Sequence, residues 1–473
     1  MDVRLAAIGS TVDDATRLKA FKYLEGPLFS PGRVLFPSHI DKLLTGLMET
    51  ELGPQWFSDP EVASWLKPAF QEVFLDTLGA VSPVWTREKY LAYLLGMGPF
   101  HFHKVPIVLR EMLRCGLLGS RPELRILDIG AGPGIASLSL LYFFELYANS
   151  LNILDIMGDE GKIFLALSPL DATKEALDLY SKIIYGYMPM LPNLQYDVSA
   201  PLRTVLNESS NVKEVLGDER YDLILMSHFI SELRDQGLDR RAQFVVDLSM
   251  HLAPGGSVVL VETSTAGGIQ TANQLKSRVV NKGLDIYGPC THIFSKPAGP
   301  ICFTCSMSRK DEVAPPRISQ QFCSVVGGAA IHDLVSKNQW TYSVFRKDGV
   351  FHHQTVPVVE EQIPRITDIA KRKTSGRGHF YVQIARRETE PFLYYKVCDQ
   401  SAKSDECYLT FEVSNAPHTL ELGDLVHLKN VRIDFGKRAG AETFRNSFYL
   451  VVDAQSEIVD LTREAKSLPT RAL

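Results

Sequence analysis

The stretch Leu124 to Ser139, LRILDIGAGPGIASLS, constrains the fold more than any other part of the chain. A short apolar run, Ile126-Leu127, ends in Asp128, and three glycines follow at Gly130, Gly132 and Gly134. An apolar, Ser- and Leu-rich run to Tyr142 then reads as a helix. Strand, glycine-rich turn and helix form the opening unit of a nucleotide-binding α/β sheet. Glycine lets the backbone turn sharply and approach a ligand where a Cβ would collide. The helix N-terminus beside the turn offers unpaired N–H groups.

Strand and helix alternate after this unit. Lys162 to Leu167 is a second strand, followed by a helix from Asp171 through Tyr180. Asn193 to Val198 is a third strand, with Asp197 near its end, and Tyr221 to Met226 a fourth. Ser227 and His228 follow the fourth strand at the sheet edge where ligands bind in open α/β sheets. Ser257 to Glu262 is a fifth strand, and Gln270 to Val280 a helix. Residues 1–120 read as mainly helical. Leu43, Leu44 and Leu47 fall at helical spacing, Asp59-Pro60 starts a helix, and Thr86 is an N-cap candidate. His101 and His103 alternate in FHFHK; no matching ligands lie nearby in sequence, so a turn or the rim of a ligand site is expected before a metal.

The glycine spacing is Gly-x-Gly-x-Gly directly after Asp128, shorter than a dinucleotide fingerprint. This loop resembles motif I of the S-adenosylmethionine-dependent methyltransferases, which cradles the methionine and ribose of the cofactor. The resemblance implies a class I methyltransferase sheet and a cofactor site built from Asp128, Gly130, Ala131, Gly132, Gly134, Asp171, Asp197, Ser227 and His228. One departure stands out. That family ends the second strand with an acid that takes the ribose hydroxyls, whereas here the run reads Leu167-Ser168-Pro169, with Asp171 further on. Asp171 either substitutes for that acid or only caps its helix.

Seven cysteines occur among 473 residues, and after Cys115 they are confined to the part from Cys290 onward. Cys290, Cys302, Cys305 and Cys323 are spaced Cys-x11-Cys-x2-Cys-x17-Cys in a segment rich in Gly and Pro. Four thiolates suit either zinc or an iron–sulfur cluster; the alternative is four unconnected small residues in a loop-rich segment. Odd count and uneven distribution argue against a secreted disulfide framework.

Taken together, YLAYLL, DIGAGPGIAS, SHFISEL, VETSTAGG and the following cysteines resemble the methyltransferase-like assembly factors of the mitochondrial small ribosomal subunit and their microbial relatives. The resemblance covers roughly residues 60–390 and implies a 4Fe–4S cluster and binding to small-subunit ribosomal RNA or a pre-ribosomal particle. Cys290, Cys302 and Cys305 match the first three cluster cysteines in order, though not in spacing. The fourth family cysteine falls at Ile384 or Ala385, so Cys323, or alternatively Cys398, has to replace it; zinc remains the alternative metal.

The last part of the chain is rich in strands: Thr341 to Phe345, His379 to Ala385, Leu393 to Cys398, Cys407 to Val413, Leu425 to Ile433 and Ser447 to Ala454. Short strands in a helix-poor segment suggest a β-barrel, OB-like in kind. Lys371, Arg372, Lys373 and Arg377 form a basic cluster near aromatics, either an RNA-binding patch or a solvated loop. With a formal net charge of −5, any nucleic-acid contact has to be local. No apolar run reaches the ~20 residues that cross a bilayer, and the N-terminal stretch has neither a secretory apolar core nor an Arg-rich, acid-free character. No membrane partner and a cytoplasmic location are therefore expected.

The expected architecture is a helical region (1–120), a methyltransferase domain (121–286), a cysteine-rich metal-binding segment (287–330) and a β-rich domain (331–473). The expected function is S-adenosylmethionine-dependent methylation of, or binding to, ribosomal RNA during small-subunit assembly. A catalytically silent RNA-binding factor of the same fold is the first alternative. A methyltransferase for a small molecule or a protein is the second.

Overall fold

The computed structural model describes residues 34–77, 85–114, 117–118, 123–153, 163–206, 211–233, 237–263, 266–289, 309–310, 313–328, 339–348, 364–372, 375–388, 394–399, 407–412, 420, 424–435 and 448–461. These divide into two compact units, one drawn from residues 1–268 and 310–340, the other from 269–309 and 341–473.

The first unit opens with helices α1 (Ser38–Leu52), α2 (Pro60–Thr77), α3 (Arg87–Gly96) and α4 (Lys104–Arg114), with one further turn at Gly98–His101. Their starts follow local chemistry. Asp59 Oδ1 accepts the Glu61 N–H at 2.8 Å at the head of α2, and Thr86 caps α3 by accepting from Lys89. Gly96 brings α3 against α2, because a Cβ there would lie 2.2 Å from the Phe70 ring.

Five parallel strands follow: β1 (Glu123–Ile129), β2 (Ile163–Asp171), β3 (Leu194–Val198), β4 (Tyr221–Ser227) and β5 (Leu252–Thr263). Their order in the sheet is β3-β2-β1-β4-β5, with parallel registers throughout. The chain builds outward from β1 to β3, then returns to place β4 on the other side of β1. That reversal makes the β1/β4 boundary the topological switch point, where a crevice opens beyond the carboxyl ends of the strands. Helix α5 (Ile135–Ile153) is buried on nearly every side, as its almost uninterrupted apolar sequence requires. Helices α6 (Lys174–Tyr187) and α7 (Leu238–Ser249) bury one face each.

In the second unit β6 (Asp285–Gly288) pairs antiparallel with β7 (Gln339–Arg346). The sequence groups Thr341 to Phe345 with the barrel strands, but β7 is not one of them. Thr341 through Arg346 are buried in succession, without the alternation of a strand that has one wet face. The barrel itself consists of β8 (Gly376–Glu388), β9 (Tyr394–Cys398), β10 (Cys407–Phe411), β11 (Leu425–Asp434) and β12 (Phe448–Val452). β8 pairs with both β9 and β11, β10 runs parallel to β12, and β11 pairs with β12. The five strands therefore close in the order β8-β9-β10-β12-β11, and β13 (Glu457–Asp460) extends β11. Phe380, Val382, Ile384, Val397, Leu409, Leu428, Phe448 and Leu450 fill the interior from alternate positions. No described helix is long and apolar enough to cross a membrane.

Candidate cofactor site

The glycine turn lies at the switch point. Gly130, Gly132 and Gly134 all have positive φ, at 68°, 53° and 95°, the left-handed region that side chains disfavour. Their surroundings differ. A Cβ on Gly130 would lie 2.4 Å from Phe229, and one on Gly134 would lie 2.9 Å from Tyr180. These two glycines serve packing. Among the described residues, a Cβ on Gly132 would meet only the Gly130 carbonyl oxygen, at 3.9 Å. Gly132 therefore combines a constrained backbone with unobstructed space, as a loop approached closely by a ligand requires. Ala131 is buried, and its N–H donates to the Leu170 carbonyl at 2.9 Å.

Asp171 ends β2. The strand continues through Ser168 and Pro169 in register with β1, pairing Asp128 with Pro169 and Ile129 with Leu170. Proline is tolerated because β3 ends at Val198, opposite Leu167, so Pro169 lies beyond the stretch flanked on both sides by full strands. One carboxylate oxygen of Asp171 accepts the Gly132 N–H at 2.9 Å. The other accepts the Thr173 N–H and hydroxyl at 2.9 and 2.8 Å, at the head of α6. Asp171 thus terminates the strand and also anchors the start of the next helix.

Asp128 is fully buried. Its Oδ2 accepts from the Ser137 hydroxyl at 2.6 Å, and Ser137 in turn accepts from Tyr180 at 3.1 Å. Oδ1 has no partner among the described residues. Burial, with Asp171 nearby, pushes the Asp128 carboxyl up to about 7 despite the Ser137 bond. Asp197 is exposed on β3, opposite Ala166.

Across the switch point, Ser227 ends β4 and His228 follows it with φ 61°. Phe229 closes over Gly130, joining this loop to the glycine turn. His228 Nε2 lies 3.4 Å from Lys104 Nζ, and the His228 ring stacks on His101 with centroids 4.1 Å apart. His101 Nδ1 lies 3.1 Å from the Tyr93 hydroxyl. Lys104 is buried. Burial and the adjacent ammonium hold both imidazoles well below the usual histidine range. Glu262, near the end of β5, accepts the Ser231 N–H at 3.3 Å, and burial pushes its carboxyl up to about 7.

His101 thus lies beside the sheet edge, as a rim residue would. Lys104, Tyr93 and Glu262 were not singled out from sequence. Two signals mark Lys104 and Glu262 in retrospect: a lysine opening an apolar run, KVPIVL, and an acid closing an apolar run, VVLVE.

The cysteine set divides. Cys290, Cys302 and Cys305 lie outside the described residues, as does Lys373. Among the described residues no group of His, Cys, Asp and Glu is arranged to hold a metal. Cys323 is half-buried on α8 (Arg317–Val326) in the first unit. Cys398 is buried on β9 in the second, directly opposite Gln383. The Gln383 side-chain amide donates to the Pro289 carbonyl, one residue before Cys290 in the chain.

The basic cluster also divides. Lys371 and Arg372 close a short helix, Ile366–Arg372, with Arg372 exposed. Arg377 is exposed but engaged at the barrel surface: its guanidinium pairs with Asp453 and donates to the Asn430 carbonyl.

Several solved structures resemble the chain at low identity. They include the plantazolicin methyltransferase BpumL in complex with SAH, with 13% identity and TM-score 0.27, covering 65% of this chain and 99% of that one. An S-adenosylmethionine-dependent methyltransferase from Clostridium acetobutylicum has 14% identity and TM-score 0.21, covering 34% and 50%. An arsenic(III) S-adenosylmethionine methyltransferase from Chlamydomonas reinhardtii has 14% identity and TM-score 0.25, covering 55% and 69%. These scores are low, and the fold rests here on strand order and register. No curated protein matches the chain. The family model described as mitochondrial small ribosomal subunit Rsm22 matches residues 165–343. The matched region runs from β2 into β7.

Proposed function

We propose that the protein binds S-adenosylmethionine at the glycine turn and acts at small-subunit ribosomal RNA during subunit assembly, as a methyltransferase. The observation that carries this reading is the Gly132–Asp171 pair at the switch point. The turn has a left-handed glycine with space above it, tied to the acid that ends β2. A sulfonium nucleoside needs a close backbone approach for its methionine end and acceptors for its ribose hydroxyls. Gly132 and Asp171 offer both chemistries side by side. Bound there, the cofactor would supply an electrophilic methyl group. Transfer to a good nucleophile depends chiefly on positioning.

The ribosomal part of the proposal draws on the family match over residues 165–343. The barrel supports it in kind, since closed five-stranded barrels of this sort bind oligonucleotides on one face and its loops. Lys371, Arg372 and Lys373 are the residues proposed to meet phosphate. The test is titration of the purified protein with S-adenosylhomocysteine, followed by binding of small-subunit RNA fragments with and without that ligand.

A second reading, an RNA-binding factor that keeps the cofactor fold without catalysis, is favoured by one observation. The chain after β4 reads Ser227-His228-Phe229 and lacks the Asn-Pro-Pro-Tyr type of base-methylating motif.

A metal centre held by Cys290, Cys302 and Cys305 is part of the proposal, as a 4Fe–4S cluster or, alternatively, zinc. For the fourth ligand the position of Cys398, opposite the glutamine that bonds Pro289, favours it over Cys323.

A further inference from the structure

The polar group beside the glycine turn has an internal logic that the fold does not require. Lys104 Nζ can only donate, so at 3.4 Å the His228 Nε2 must accept. A neutral imidazole carries one proton, and here it therefore resides on Nδ1. That Nδ1 is buried and has no partner among the described residues. A buried N–H left unpaired is costly, so its orientation calls for an acceptor. The ring cannot easily turn away. His101 stacks on it at 4.1 Å, His101 is itself tied to Tyr93, and the His228 N–H is bonded to the Val261 carbonyl at 2.8 Å. His228 also holds a left-handed backbone, φ 61°. Such conformations persist where the surroundings over-determine them, and they cluster at ligand sites.

We propose that Lys104 is a positioning residue, which fixes His228 as the Nδ1–H tautomer so that this N–H receives the carboxylate of the amino-acid end of the bound nucleoside. A carboxylate suits the place on two grounds. It accepts from the oriented N–H, and it gains from the buried Lys104 ammonium behind the ring. The loop that carries His228 abuts the glycine turn through Phe229 and Gly130, so one ligand can reach both. This inference rests on the cofactor reading above and adds which end of the cofactor faces His228.

The test uses two probes that share the nucleoside thioether. S-adenosylhomocysteine carries the amino-acid carboxylate, whereas 5′-methylthioadenosine lacks it. Calorimetry on the full chain is expected to show that Lys104→Met weakens S-adenosylhomocysteine about tenfold and leaves 5′-methylthioadenosine unchanged. Lys104→Arg, which keeps a donor, restores most of the difference. Nitrogen-15 spectra of the imidazoles should show His228 as the Nδ1–H form in the parent and a loss of that preference in Lys104→Met. If Lys104→Met does not fold, His228→Asn and His228→Leu carry the same test. Asparagine tolerates the left-handed backbone and keeps a donor, so the preference for S-adenosylhomocysteine survives in it and disappears with leucine. Equal effects on both probes, or an Nε2–H imidazole in the parent, would overturn the assignment while leaving the cofactor reading intact. A parent protein that binds neither probe removes both.

Discussion

Asp171 Oδ2 accepts the backbone N–H of Gly132 at 2.9 Å, across 39 residues of sequence. The bond ties the end of the second strand to the middle of the glycine turn. Because the other Asp171 oxygen holds Thr173, one carboxylate sets the relative positions of strand, turn and helix. Asp171→Ala should lower stability by ~2 kcal/mol, the usual scale for hydrogen bonds to a charged group. It should also weaken S-adenosylhomocysteine at least tenfold, while Asp171→Asn, which keeps one acceptor oxygen, falls between. Denaturant unfolding and calorimetry check both expectations. An alanine variant with parental affinity would remove Asp171 from the site.

Asp128 links stability to pH. Its folded-state pKa, about 7, lies above the ordinary aspartate value of 3.8. The folded state therefore retains a proton that the unfolded chain has released. The resulting stabilisation is complete below the unfolded value and is lost as pH rises toward and through about 7. Glu262 shifts in the same direction, from 4.5 to about 7. These two carboxyls lower the melting temperature from pH 5.5 to pH 8, while His101 and His228, held below the usual histidine range, act in the opposite sense at the acidic end of that window. Asp128→Asn, which removes one of the two titrations, should flatten that slope. Melting curves at the two pH values decide it; an unchanged slope in the variant would contradict the assignment.

Reversing Lys371, Arg372 and Lys373 to glutamate should weaken binding of small-subunit RNA fragments and reduce the dependence of affinity on salt. Arg377→Glu should behave differently, because its guanidinium is already paired with Asp453 at the barrel surface. Its main effect is a lower melting temperature. RNA titrations at two salt concentrations, set beside melting curves, separate the two. Parental RNA affinity in the triple reversal would sink the patch.

Anaerobically purified protein should carry a metal that Cys398→Ser loses and Cys323→Ser retains. About four irons with a broad absorption band near ~400 nm would identify the cluster, and one zinc the alternative. Metal-free protein that is folded and indifferent to Cys302→Ser would show that these cysteines only pack.

Much of this was legible in the chain. The glycine turn announces itself because three glycines so close together after an apolar strand have few other uses. The five parallel strands and the five barrel strands appear as short apolar or alternating runs between turn residues. Asp171 was misplaced for a physical reason. Pro169 reads as a strand end, and only the neighbouring strand's termination at Val198 makes a proline acceptable there. The Lys104–His228 contact joins residues 124 positions apart. No local pattern encodes such a pair; it exists because the chain between Gly98 and Arg114 returns to the sheet edge. Thr341 to Phe345 has the composition of a barrel strand, and its partner, Asp285–Gly288, is set by tertiary packing alone.

The most direct measurement is calorimetric titration of S-adenosylhomocysteine into the parent protein and into Gly132→Val. The proposed site predicts one ligand bound per chain in the parent. It predicts no binding to a folded Gly132→Val, whose side chain would occupy the space above the turn from a strained backbone. Binding of equal strength to both proteins, or no binding to the parent, would contradict it.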